Sequence, residues 1–177
     1  KCRIGIDQRQ EYTQLVDFIS TVAAAGCNTF IVHARIAVLN GLSPKQNREI
    51  PPLKYDWVYR IKQQFPELEI VINGGIKTQQ ACLEHMQFVD GVMIGREAYQ
   101  NPYAMLMCEQ AIYGDTPAQP SRVNVLQQYM RYCQQQIQQG VKLKHLSRHC
   151  LGLFQGQRGA KTFRRVIAEN AHREGAD

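Results

Sequence analysis

Two places in the chain pair glycine with groups that bind anions. Glu69-Ile-Val-Ile-Asn-Gly-Gly75 is an apolar, β-branched run that stops at Asn73, Gly74 and Gly75, and Phe88-Val-Asp-Gly-Val-Met-Ile-Gly-Arg96 repeats the plan with Gly95 and Arg96. A glycine turn after a strand lets the backbone approach a ligand closely, and the N–H groups that follow are ready to bind an anion. Two such ends, one carrying an arginine, have the chemistry of a phosphate cradle. A third run, Asn28 to Val32, ends in His33-Ala34-Arg35, and the two-residue repeat of a strand puts His33 and Arg35 on one side. Lys1 and Arg3 share a face of the opening run in the same way. Cations, an imidazole and bare amides together suit an anionic or electron-rich ligand. The six cysteines are scattered without a CxxC pair, so no metal site is expected.

The elements that must position these groups follow from periodicity. Lys1 to Ile6 reads as a strand, and Glu11 to Ala25 as a helix with Leu15, Phe18, Ile19 and Val22 on its apolar face and Gly26 as its stop. Ile36 to Asp56 has no period, contains Pro44, Pro51 and Pro52, and carries Lys45 and Arg48. A connection of that length without secondary structure is more often a functional lid than slack, and its cations point to a substrate. Trp57, Ile61 and Phe65 space a helix that ends at Pro66; Thr78 caps another, through Met86, with Cys82, Leu83 and Met86 inward. Four βα units in tandem predict an α/β fold with a parallel sheet, right-handed crossovers and a ligand site at the carboxyl ends of the strands.

A complete (β/α)₈ TIM barrel needs about 250 residues. Four units are therefore expected to be its second half, strands 5–8, with the remainder before Lys1; a small open doubly wound sheet is the alternative. Gly114 to Pro120 is a turn-rich linker that divides 1–113 from a helical domain, 121–177. There Ser121 caps a helix whose apolar positions are Val123, Leu126, Met130, Cys133 and Ile137, and two shorter helices follow.

Charge is unevenly spread. Residues 1–120 hold 11 Lys and Arg against 12 Asp and Glu, whereas residues 121–177 hold 10 against 3. An excess confined to one small domain points to a polyanion, most often nucleic acid. No run of about 18 apolar residues exists, which gives no support for a membrane span, and unpaired cysteines among apolar residues fit the cytoplasm.

Taken in order, a Lys, a His-x-Arg, an Asn-Gly-Gly and a Gly-Arg on four successive strands resemble the FMN site of flavin-dependent barrels, and the wording resembles the tRNA-dihydrouridine synthases, A-type subfamily. The resemblance runs over essentially the whole chain, through Val32-His-Ala-Arg35, Gly41 to Pro52, Asn73 to Gly75, Gly95 to Pro102 and Gly152 to Arg165. It implies that Lys1 and His33 contact the isoalloxazine and that Asn73, Gly74, Gly75, Gly95 and Arg96 hold the ribityl phosphate end. It further implies FMN-dependent, NADPH-driven reduction of uridine in the tRNA D-loop, in the position 20 region. Arg35, Lys45, Arg48, Lys161 and Arg164 are then the tRNA-binding cations, and DNA is not an expected partner. The family's acid cysteine lies in an Asn-x-Gly-Cys-Pro loop that none of the cysteines here matches, so that residue is expected upstream of Lys1 and the chain alone is expected to be inactive. A flavin barrel acting on a small molecule leaves the basic tail without a purpose; a non-catalytic RNA-binding fragment is the other alternative. The tail's cations lack an interleaved aromatic platform, which suits backbone recognition of folded RNA.

Overall fold

In the computed structural model the described residues are 1–114 and 119–176. Contacts divide the chain into two compact units, Lys1–Gly95 and Arg96–Asp177.

The four apolar runs of the first unit make one parallel sheet, ordered β1 (Cys2–Arg3), β2 (Thr29–His33), β3 (Glu69–Asn73), β4 (Gly91–Met93). Helices α1 (Tyr12–Ala24), α2 (Tyr55–Gln64) and α3 (Gln79–Met86) connect them. Each helix starts on a sequence signal. Glu11 and Gln14 form a capping box at α1, and Thr78 Oγ1 accepts from Ala81 N–H at 3.2 Å at α3.

The two faces of the sheet differ in environment. On β2 and β3 the alternate residues Phe30, Val32, Ile70 and Ile72 are buried with Leu15, Ile19, Val58, Ile61 and Cys82 of the helices. Each large aliphatic side chain buried this way contributes about 1.5–3 kcal/mol. Ile31, His33, Val71 and Asn73 face the other way and are only half-buried. Register then puts Arg3, His33, Asn73 and Met93 in one row across that second face, at the carboxyl ends of the strands. Asp90 ties the helix side together, accepting from Ile70 N–H at 2.8 Å and pairing with Lys62 Nζ at 2.9 Å.

Two details depart from the periodicity. Phe18 is 48% exposed, so α1 is held by Leu15 and Ile19 alone. Val58, rather than Trp57, fills the core beneath α2.

The described residues of the second unit are helical: α4 (Arg96–Gln100), α5 (Ala104–Tyr113), α6 (Arg122–Gln138), α7 (Leu143–Ser147) and α8 (Ala160–Asn170). This unit begins before the expected linker, because α4 and α5 are held to the helices that follow. Tyr103 Oη donates to Pro120 O at 3.0 Å, and the Arg122 guanidinium lies 4.0 Å from the Tyr103 ring centre. Gly152 packs so tightly on Gln100 that a Cβ there would sit 2.2 Å from its carbonyl oxygen. Residues 115–118 of the expected linker lie outside the described residues. Ser121 caps α6 as expected, its Oγ accepting from Asn124 N–H at 3.1 Å. Val123 and Met130 are 53% and 52% exposed, so Cys133 is the buried residue of that helix. No helix among the described residues is long and apolar enough to cross a membrane.

Candidate functional site

The turn after β3 is built from left-handed glycines, with φ of +123° at Gly74 and +71° at Gly75. Only glycine adopts such angles without strain. The space around them is equally restrictive. A Cβ at Gly74 would lie 2.7 Å from His33 Cδ2 and 2.9 Å from Leu53 Cδ2, and one at Gly75 would lie 2.9 Å from Leu53 Cδ1. Tyr55 Oη donates to Gly74 O at 2.6 Å, closing the turn from the α2 side, and burial raises the Tyr55 pKa against the pull of nearby Arg35. His33 is thereby packed edge-on to the turn.

Among the described residues the N–H groups of Gly74, Gly75 and Gly95 donate to no protein group. Gly95 is exposed and a Cβ there would meet nothing within 4 Å. Bare amides at the ends of two adjacent strands are the donor set a phosphate needs, so these residues fit the phosphate end of a flavin nucleotide. Asn73 braces the turn. Its Nδ2 donates to Met93 O at 2.7 Å and its carbonyl accepts from Ala34 N–H at 2.9 Å, which locks β3 to both neighbours. Lys1 immediately precedes β1 and is exposed, while Arg3 stands level with His33. Arg96 is the exposed first residue of α4.

Arg3 anchors the long connection after β2. Its Nη1 donates to Ile36 O at 2.7 Å, Asn47 O at 2.9 Å and Asn47 Oδ1 at 3.1 Å. Asn47 in turn accepts from Val38 N–H at 3.0 Å and donates to Val38 O. Ser43 and Gln46 exchange side-chain and backbone hydrogen bonds around a short 3₁₀ turn, Gln46–Arg48. Arg35 Nη1 donates to Pro51 O, and Lys54 N–H to Ala34 O at 2.8 Å. The aperiodic stretch is therefore a folded loop clamped by Arg3 of β1 and by Arg35, two residues beyond β2.

That clamp concentrates positive charge. Burial first, then the proximity of Arg35 and Arg48, draws the Arg3 pKa below its ordinary value, although a guanidinium remains charged. Arg35 Nε is buried without a hydrogen-bond partner among the described residues. Lys45 and Arg48 project exposed from the loop. Three guanidiniums thus lie around one loop. Arg3 and Asn47 brace this loop and Leu53 and Tyr55 the glycine turn, roles that the sequence does not announce. Only Arg3 had a signal, its shared face with Lys1.

In the second unit, Lys161 and Arg164 lie one turn apart on α8, with Lys161 exposed and Arg164 half-buried, donating from Nη1 to Gln155 Oε1 at 3.3 Å. No group of three or more metal-ligating side chains occurs among the described residues.

The family model described as dihydrouridine synthase (Dus) matches residues 1–177. The chain is 52% identical over 176 residues to a tRNA-dihydrouridine(20/20a) synthase of Shewanella oneidensis, covering 99% of this chain and 52% of that protein. The protein of the same name from Vibrio cholerae is 52% identical over 178 residues, with 99% and 54% covered. That from Escherichia coli K12 is 50% identical over 178 residues, with 100% and 52% covered. The chain spans about half the length of the curated relatives it matches.

Proposed function

Because the chain belongs to the dihydrouridine synthase family, we propose that it supplies the flavin-phosphate and tRNA-binding parts of an enzyme that reduces uridine to 5,6-dihydrouridine in tRNA. FMN is the proposed cofactor, NADPH the electron donor, and the D-loop around position 20 the substrate. The observation that carries this is the left-handed Gly74-Gly75 turn with unpaired amides, set beside His33 at the carboxyl end of a parallel sheet. The four strands, with β1 and β4 at the edges, are read as the second half of a (β/α)₈ barrel. The helices of the second unit are read as its tRNA-binding domain.

When bound, FMN would supply the hydride-transfer chemistry between NADPH and the uracil ring. The chain's own residues have three tasks around it. Gly74, Gly75 and Gly95 would offer N–H groups to the phosphate and Arg96 its charge; Asn73, which braces the turn through Met93, would complete the ribityl phosphate end. Lys1 and His33 would lie against the ring system, where a lysine would offset the negative charge of the reduced form. Arg35, Lys45 and Arg48 on one unit, and Lys161 and Arg164 on the other, bind tRNA phosphates while the target base leaves its stack.

The uracil also needs a proton at C5, and the cysteines here are unsuited to give it. Cys2 stands level with Val32 on the helix-facing side of the sheet, and burial raises its pKa. Cys82, Cys108, Cys133 and Cys150 are buried. Cys27 donates to Thr29 O at 3.4 Å, at the amino end of β2. The acid is therefore assigned to a group outside these residues. Six free thiols also fit a reducing compartment, and the cytoplasm is the proposed location.

The test is a chimera in which this chain replaces its matched half of the Shewanella oneidensis relative. Supplied with FMN, NADPH and unmodified tRNA, it is expected to add two hydrogens to a D-loop uridine, read by nucleoside mass spectrometry. A folded, flavin-loaded chimera that leaves the tRNA unreduced overturns the reading.

A further inference from the structure

In the second unit, α4, the turn after α7 and the start of α8 enclose a concavity of about 480 Å³, lined by Glu97, Tyr99, Asn101, Arg148, Gln155 and Arg164 among others. That is within the range of small-ligand sites, roughly 300–1,000 Å³. Two guanidiniums flank it, and among the described residues neither Arg148 nor Arg164 forms an ion pair. Glu97 is the wall's acid, and it accepts instead from Asn101 Nδ2 at 3.2 Å. Tyr99, 56% exposed, lines the same concavity.

Hydrogen bonds hold these groups in place. Arg148 Nε can only donate, so its 3.3 Å contact makes His149 Nε2 the acceptor. The imidazole proton then sits on Nδ1 and is given to Tyr99 Oη at 3.2 Å, which leaves the tyrosine hydroxyl to donate to Arg148 O at 3.5 Å. His149 also meets the Tyr99 ring edge-on, with centres 5.8 Å apart and planes at 84°. Arg164 is aimed by Gln155. The glycine at 152, which no other residue can replace without pushing Gln100 away, closes the floor.

A preset, exposed aromatic ring sharing one concavity with two guanidiniums that form no ion pair among the described residues matches a planar base attached to a phosphate. We propose that this concavity binds a single unstacked ribonucleotide of the tRNA, its base on Tyr99 and its phosphate on Arg148 and Arg164. The inference rests on the tRNA reading above and goes beyond it. Arg164 becomes one side of a base-stacking pocket, and Tyr99 and Arg148 join the RNA-binding residues. Stacking on an aromatic side chain tolerates any base, so the pocket strengthens binding without choosing a sequence.

The experiment measures affinity of the 177-residue chain for unmodified tRNA transcript and for inorganic polyphosphate, which has charge but no bases. Tyr99→Leu is expected to weaken tRNA binding about 5- to 100-fold and leave polyphosphate binding unchanged, because stacking is lost while the cations stay. Tyr99→Phe keeps the ring and should bind within about threefold of wild type. Arg148→Gln should weaken both ligands and flatten the salt dependence for tRNA by about one unit of slope. Equal tRNA affinity in wild type, Tyr99→Leu and Arg148→Gln overturns the pocket while the tRNA reading stands. A Tyr99→Phe loss as large as that of Tyr99→Leu also overturns it, by tracing the effect to the hydroxyl. A wild-type chain that binds polyphosphate but not tRNA overturns both.

Discussion

Replacing Gly74 by alanine probes the turn on which the functional reading depends. At φ +123° an alanine suffers backbone strain of about 1–3 kcal/mol. Its methyl would also lie 2.7 Å from His33 Cδ2 and 2.9 Å from Leu53 Cδ2, and overpacking of this kind costs about 1–3 kcal/mol. The Leu53 methyl can swing aside, but the His33 ring is rigid, so the two terms together give roughly 2–5 kcal/mol. Gly95→Ala is the matched control, since nothing lies within 4 Å of its Cβ and its φ is not left-handed; it should cost less than about 1 kcal/mol. Trp57, the single tryptophan, sits on α2 of the same unit, so urea unfolding followed by its fluorescence reports this region. Coincident curves for Gly74→Ala and wild type, or an equal loss in Gly95→Ala, would refute the reasoning.

Other consequences can be checked separately. Burial lowers the His85 pKa against the opposing pull of Glu84, and the ring shares a 2.7 Å hydrogen bond with Tyr59 Oη. The unfolded chain thus protonates first, and stability should fall as pH drops below about 6.5 until the folded pKa is passed; His85→Gln should flatten that slope in urea unfolding. Asn47→Ala removes the acceptor shared by Arg3 and Val38, and limited proteolysis should then cut within residues 41–50 several-fold faster; an unchanged rate would show that the loop is held otherwise. Replacing Lys161 and Arg164 together by alanine should reduce the salt dependence of tRNA binding by at most about two units of slope, with flavin binding intact. Wild-type affinity at every salt concentration would make α8 a solvated surface.

Much of the fold was legible because strand and helix periods were strong. The glycine-terminated runs became β3 and β4, and both Thr78 and Ser121 cap the helices they precede. What escaped was tertiary. An aperiodic loop carries no signal that Arg3 will bind three of its acceptors, and neither Leu53 nor Tyr55 announces that it will close on a turn 19 or more residues away. Nor does the sequence announce that the Asn73 amide, beside those glycines, donates to Met93 O of the neighbouring strand. That Tyr99 lines the same concavity as Arg148 and Arg164 is likewise invisible in the sequence, because both arginines lie 49 or more positions beyond it.

In the proposed function the strand-end glycines hold the phosphate of a flavin nucleotide. Titrating the chain with FMN and with riboflavin, which has the same ring system without the phosphate, tests it most directly, with binding followed by flavin fluorescence. FMN is expected to bind at least about tenfold more tightly, since charge-assisted phosphate contacts contribute roughly 1.5–3 kcal/mol, and Gly75→Asp should erase the difference by placing a carboxylate in the cradle. Equal binding of the two flavins, or an FMN preference that survives Gly75→Asp, would contradict the account.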